Sequence, residues 1–355
     1  MPTPSYLEKT QSQLPALQLL IQMGWTYLTP EACSRLRGGR LGEAILDPIL
    51  TDHIRENVRF EFKGRTHAFT DNAIQNAVQA LRSFRATGAT HQNEQAYDLL
   101  CLGTSVPQTI DGDTKSFTIP YIDWLHPERN TYNCAAEYKL ERIGHQAHCI
   151  PDIVLFVNGI PLVVMECKRS AYTDLKKSPV QMAIDQLAGY QAKEGIPQLF
   201  LTTQLLLALA RDKAEYGTNG TPEKFWTVWK ESGIDNPIRD LLAKPLPADQ
   251  ASALFSAPFT EAAPEFKALL NTGRAVYEQD RSLYALCRPE RLLELLYKYI
   301  VYDNGIKKIA RYQQFFTVRD ILARVNSTSD PVPRPGGVVW HTQGSGKSLI
   351  DKIAL

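Results

Sequence analysis

Residues 150–170 read IPDIVLFVNGIPLVVMECKRS, and this run decides the fold. Residues 150–157 and 162–168 are rich in β-branched and apolar side chains, and between them stands Asn158-Gly159, a dipeptide that favours a tight hairpin turn. Side chains alternate faces along a strand, so Glu166 and Lys168 project together while Cys167 points the other way. Asp152 opens the preceding strand, and whether it joins them is a question of register. A two-residue loop pairs Val157 with Ile160 and sets Asp152 opposite Met165, on the wrong face for Glu166. A three-residue loop with Gly159 as its left-handed last residue sets Asp152 opposite Val164 and on the shared face. The sequence therefore predicts that loop or an equivalent bulge.

Outward from this hairpin, residues 117–122 and 132–142 also read as strands, and residues 14–23, 71–85 and about 180–192 as helices. A short strand at 199–202 with helix after it completes an α/β order that fits a small mixed sheet flanked by helices. Residues 243–264 are rich in Ala, Pro and Ser and mark the start of a linker region, taken as 243–287, after a first domain over 1–242. Residues 288–302 and 306–325 read as helices of a second unit, 288–355.

The chain has 355 residues, 44% of them hydrophobic, enough to bury a large core. Its net charge of +1 excludes a global basic field, so any nucleic-acid contact must come from local clusters: Arg35/Arg37/Arg40, Lys63/Arg65, Lys168/Arg169, Lys176/Lys177 and Lys307/Lys308/Arg311. The six cysteines form no C-x-x-C pair and the N-terminus has no signal-like segment, which points to a reduced, cytoplasmic protein. His145, His148 and Cys149 lack a second ligand pair at zinc spacing. The longest apolar region, 198–210, is too short to cross a bilayer, so no membrane role is expected.

The triplet [DE]-x-K by itself carries no information, because it recurs at Glu61, Asp113, Glu137, Asp174 and Glu265. Glu166 differs in context: it and Lys168 interrupt an apolar strand, where charge is costly unless matched. On that context alone a buried structural ion pair is the plainer reading, and catalysis the alternative. As a catalytic set, Asp152 and Glu166 would bind a hard cation such as Mg²⁺, and Lys168 would orient water and stabilise developing charge. Gln186 and Tyr190 follow on one helical face.

Pro151-Asp152, Glu166-x-Lys168 and Gln186-x-x-x-Tyr190 together resemble the PD-(D/E)xK nuclease domain of type I restriction endonuclease R subunits, as does the wording DIVLFVNGIPLVVMECK. The resemblance implies a restriction-endonuclease-like mixed sheet, catalytic Asp152, Glu166 and Lys168 with the two acids on Mg²⁺, and Gln186 and Tyr190 engaging DNA. Many such nucleases carry an acid on the first helix, for which Glu8 is the nearby option.

Near the other end, WHTQGSGKSL at 340–349 follows an apolar Gly337-Val338-Val339. Thr342, Gly344, Ser345 and Gly346 would wrap phosphates with backbone N–H groups, Lys347 would neutralise them and Ser348 would reach Mg²⁺. The first P-loop position is His341 rather than Gly, a departure familiar in superfamily 2 helicases, and the wording resembles type I R subunits. Arg311 and Gln314 resemble the adenine-recognising segment of such motors, with a polar patch on an amphipathic helix as the plain alternative.

The resemblance thus implies a RecA-like P-loop lobe opening after the nuclease, ATP as a cofactor, double-stranded DNA as substrate, and methyltransferase (M) and specificity (S) subunits as partners. Two other classes fit the same residues: a non-catalytic DNA-binding or docking module, and a nucleotide-binding regulatory fragment. Metal-dependent nicking of plasmid separates the first reading from the second, and nucleotide affinity without cutting favours the third.

Overall fold

The computed structural model describes residues 8–84, 88–144, 146–170, 177–326 and 338. Six strands make one mixed sheet in chain order: β1 (Thr26–Leu28), β2 (Tyr132–Ala136), β3 (Ile153–Val157), β4 (Ile160–Lys168), β5 (Leu205–Ala210) and β6 (Lys213–Gly217). β1 runs parallel to β2 and β4 parallel to β5, and the other neighbours are antiparallel. The helices that matter to the site are α1 (Leu14–Gln22), α2 (Pro179–Gln191) and α3 (Glu278–Cys287).

β3, β4 and β5 are buried along their whole lengths because helices cover both faces of the sheet. Leu155, Val163, Met165 and Leu207 belong to the core that includes α1 and α3. Val154, Phe156, Val164 and Ala208 point the other way, onto Val180, Ala183, Ile184 and Leu187 of α2. Each such fully buried aliphatic side chain contributes about 1.5–3 kcal/mol. α2 starts where Ser178 and Gln181 form a reciprocal capping box and Pro179 fits the first turn, so its last turn, with Tyr190, is fixed in place over β4.

The hairpin between β3 and β4 keeps its two-residue turn. Asn158 and Gly159 both take positive φ, 51° and 79°, and Val157 pairs with Ile160. Gly159 is required twice over, since a Cβ there would lie 2.5 Å from the Leu46 carbonyl oxygen. Parity is restored further along: the register shifts between Pro161 and Val163, so that Val154 pairs with Val164 and Ile153 with Met165. The expected bulge therefore exists, but it falls at Leu162 rather than at Gly159. Continuing the register sets Asp152 beside Glu166, not Val164.

Several expectations are corrected. In place of a strand at 199–202, residues 199–201 lie in a 3₁₀ turn (Pro197–Leu201) that Thr202 follows, and the strand is the later Leu205–Ala210. Its LLLALA composition suits a helix, yet a site covered on both faces accepts a continuous apolar run as a central strand. The strand containing Phe117 ends at Ile119 and pairs with Thr104–Ile110 in a separate hairpin. Residues 243–287 are not an extended linker: they hold helices Ala248–Leu254, Ala263–Thr272 and α3, and Leu254, Phe259 and Phe266 are fully buried in the main core. Helix Pro289–Lys298 stops short of 302, because Ile300–Asp303 and Ile306–Ile309 form a hairpin around Asn304-Gly305. Helix Tyr312–Asn326 comes after it. Among the described residues, no helix is long and apolar enough to cross a membrane.

Candidate active site

Three predicted residues converge where β3 begins and β4 ends. Asp152, Glu166 and Lys168 are 7%, 0% and 8% exposed. Lys168 Nζ stands 3.2 Å from Glu166 Oε2, 4.0 Å from Asp152 Oδ2 and 3.9 Å from Glu8 Oε1. The Cys167 backbone N–H donates to Asp152 Oδ2 at 2.7 Å, and the Asp152 N–H reaches Glu166 Oε1 at 3.4 Å. The Leu162 bulge puts the two acids side by side, and the β4 alternation adds the lysine.

Burial dominates the electrostatics. It pushes the Asp152 carboxyl well above the usual carboxylate range, and the neighbouring Glu166 pushes it further. Glu166 is also raised by burial, with the Lys168 ammonium pulling the other way. Burial opposes the charge on Lys168, but Glu166, Asp152 and Glu8 outweigh it and hold that ammonium above its ordinary pKa. The result is a durable cation facing acids that bind protons more readily than exposed carboxylates do.

From α2, Tyr190 is buried and reaches the same place. Its hydroxyl accepts from Gln186 Nε2 at 2.6 Å, lies 3.3 Å from the Ile150 carbonyl oxygen, and hydrogen-bonds Glu166, which favours the ionised carboxylate. Gln186 touches Tyr190 and is half-buried. Glu8 sits at the rim, with its side chain 27% exposed.

One residue escaped sequence reasoning. Gln13 Nε2 donates to Asp152 Oδ1 at 2.8 Å from a π-helical turn, Lys9–Gln13, that leads into α1. The only trace in sequence is a polar Thr-Gln-Ser-Gln run ahead of an apolar helix.

The other [DE]-x-K triplets behave as surface groups where they are described. Lys63 pairs with Asp113 with both side chains at least half exposed, and Glu265 and Lys267 are exposed. Two of the basic clusters lose a member to the interior, although Arg35 and Arg40 stay exposed. Arg37 is buried against the Cys33, Glu43 and Lys139 carbonyls, and Lys307 is buried with its Nζ 2.8 Å from Asn93 Oδ1. Gln314 is buried too, its Oε1 accepting the Arg311 N–H at 2.8 Å at the start of its helix. Thr342, Gly344, Ser345, Gly346, Lys347 and Ser348 lie outside the described residues.

The family model for the type I restriction enzyme R protein N terminus matches residues 5–225, well over half of the chain, and the chain belongs to that family. The SWI2/SNF2 ATPase model matches residues 313–354. The type I restriction enzyme HindI endonuclease subunit of Haemophilus influenzae is 26% identical over 339 residues, covering 94% of this chain and 28% of that protein. Two relatives from Methanocaldococcus jannaschii, with the type I restriction enzyme names MjaIXP and MjaVIIIP, are each 24% identical over 345 and 339 residues. The chain covers 30% and 27% of their lengths, so it spans less than a third of the relatives it matches.

Proposed function

We propose that this chain is the DNA-cutting portion of a type I restriction enzyme R subunit, a PD-(D/E)xK endonuclease fold leading into an ATP-driven RecA-like motor. The observation that carries this reading is the buried Asp152, Glu166 and Lys168 cluster at the end of a central strand, in a member of a restriction-enzyme family. A structural ion pair needs one acid and one base. Here a second buried carboxylate stands beside the first, an arrangement that disfavours the metal-free state.

Asp152 and Glu166 would hold Mg²⁺. Two carboxylates as the protein's oxygens would leave the remaining positions to water, backbone or phosphate oxygens. Such a set suits Mg²⁺, which keeps several waters and few protein oxygens. When bound, the cation supplies a polarised scissile phosphate and a water acidified for attack. Lys168, kept charged, orients that water and stabilises charge developing on the phosphate. Tyr190 fixes Glu166, and Gln186 orients Tyr190 and stands next to the DNA. Attack by water on phosphorus breaks one phosphodiester bond of double-stranded DNA.

The SWI2/SNF2 match over 313–354 supports nucleotide binding at Lys347 and Ser348; Gln314, inside that span, and Arg311, just ahead of it, would lie on the adenine side. In the whole enzyme, M and S subunits would join this subunit and S would select the sequence. The test is plasmid cleavage by the reconstituted complex with Mg²⁺. Asp152→Ala or Glu166→Ala should give no linear product while ATP hydrolysis continues. Undiminished cutting by either variant removes that residue from the site.

A further inference from the structure

The Gln13 side chain is 2% exposed, and its two amide atoms have different fates. The nitrogen donates to Asp152 Oδ1, while Oε1 is buried with no hydrogen-bond partner among the described residues. Rotating the amide would give up the donation to Asp152 Oδ1 and turn Oε1 toward a carboxyl oxygen instead. A buried acceptor without a donor costs about 1–3 kcal/mol, and a native fold seldom leaves one without a reason.

The surroundings hold Gln13 where it is. Ser12, the residue before it, donates from Oγ to Gln279 Oε1 at 2.9 Å, its backbone carbonyl accepts from Gln279 Nε2 at 3.1 Å, and both side chains are buried. This pins the π-helical turn to α3. The turn itself adds a residue between Lys9 and Leu14, whose N–H bonds back to the Lys9 carbonyl, and such turns often occur at functional sites.

We infer that Gln13 is a positioning residue of the carboxylate pair, its amide nitrogen fixing Asp152 and its free oxygen taking a hydrogen bond from a water of the divalent cation's hydration shell. This inference rests on the cleavage reading above. It explains why a neutral amide stands beside two acids. A third carboxylate would repel them in the metal-free state, whereas an amide donates to Asp152 and still offers the cation's waters an acceptor.

The test uses the full chain and Mn²⁺ alone, with affinity measured by electron paramagnetic resonance of free Mn²⁺ and folding by thermal melting without metal. Wild type should bind Mn²⁺ and Glu166→Gln should not. If wild type does not bind, the metal-site reading falls and this inference with it. Gln13→Met should remain folded and bind Mn²⁺ about 10–100-fold more weakly, the usual effect of removing a hydrogen-bond partner behind a metal ligand. Gln13→Glu should melt at a lower temperature without metal, because it faces Asp152, yet bind Mn²⁺ at least as tightly as wild type. A purely structural role predicts loss of both. Wild-type affinity in Gln13→Met, or weakened affinity in Gln13→Glu, overturns the inference and leaves the cleavage reading standing.

Discussion

Replacing Lys168 with Met removes the only cation that, among the described residues, lies within 4.0 Å of both Asp152 and Glu166, and keeps the side-chain length that fills the strand end. Breaking a buried ion pair by deleting one partner destabilises by about 3–5 kcal/mol, because the remaining charge is left uncompensated. The variant has an escape, since either acid can take up a proton. Both already have raised pKa values, so each contributes stability that is full below its unfolded pKa and is lost as pH rises through the folded one. Without Lys168 those folded values climb further. Going from pH 8 to pH 5 makes one proton easier to bind by about 4 kcal/mol, enough to cancel most of the loss. Lys168→Met should therefore be about 3–5 kcal/mol less stable than wild type at pH 8 and within about 1 kcal/mol of it at pH 5. Urea denaturation at the two pH values, without divalent cation, measures both differences. Equal destabilisation at pH 5 and pH 8 would refute the argument, because it would mean the missing charge is not what the carboxylates respond to.

His53 predicts a pH dependence of the opposite sign. Burial lowers its pKa from 6.5 to about 4, so the unfolded chain protonates first and stability is full above pH 6.5 and falls toward pH 4, by about 2 kcal/mol between pH 7.5 and pH 5. His53→Gln should flatten that part of the profile in the same denaturation series, and an unchanged slope would remove His53 as its source. Lys168→Ala in the reconstituted complex should abolish DNA cutting without lowering ATP hydrolysis, because it acts on the scissile phosphate and not on the motor. Lys347→Ala in the full-length subunit should eliminate ATP hydrolysis and translocation, and cleavage only as a consequence; ATP turnover near wild type would show that WHTQGSGKS is a turn without nucleotide.

The difference between what was legible and what was not follows the range of the interactions. Asp152, Glu166 and Lys168 can be paired from sequence because a two-residue period and one Asn-Gly turn are local rules, and sharing a face requires a bulge or an odd loop in the hairpin. The position of that bulge was not legible. Leu162 and Val163 both face the α1 side of the sheet, a choice set by what packs there and not by the hairpin's own residues. Leu205–Ala210 is hard to read for a related reason, since leucine and alanine favour helix locally and parallel pairing with β4, at Val163 with Leu205 and onward, makes them a strand. Asn304-Gly305 carried the same turn signal as Asn158-Gly159, but Lys307 and Lys308 hid it by reading as a charged helix surface. The structure buries Lys307 against Asn93, more than two hundred residues earlier, a partner no local pattern can name. Gln13 belongs to this second class. Its role depends on Asp152, 139 residues away, and on Gln279, which clamps its neighbour Ser12 from a segment whose composition suggested a linker. The acid and lysine cluster is therefore written in one hairpin, while the turn that braces it is held by Asp152 and Gln279, far along the chain. Substitutions in 263–287 that loosen α3 should for that reason disturb the site before they disturb the sheet.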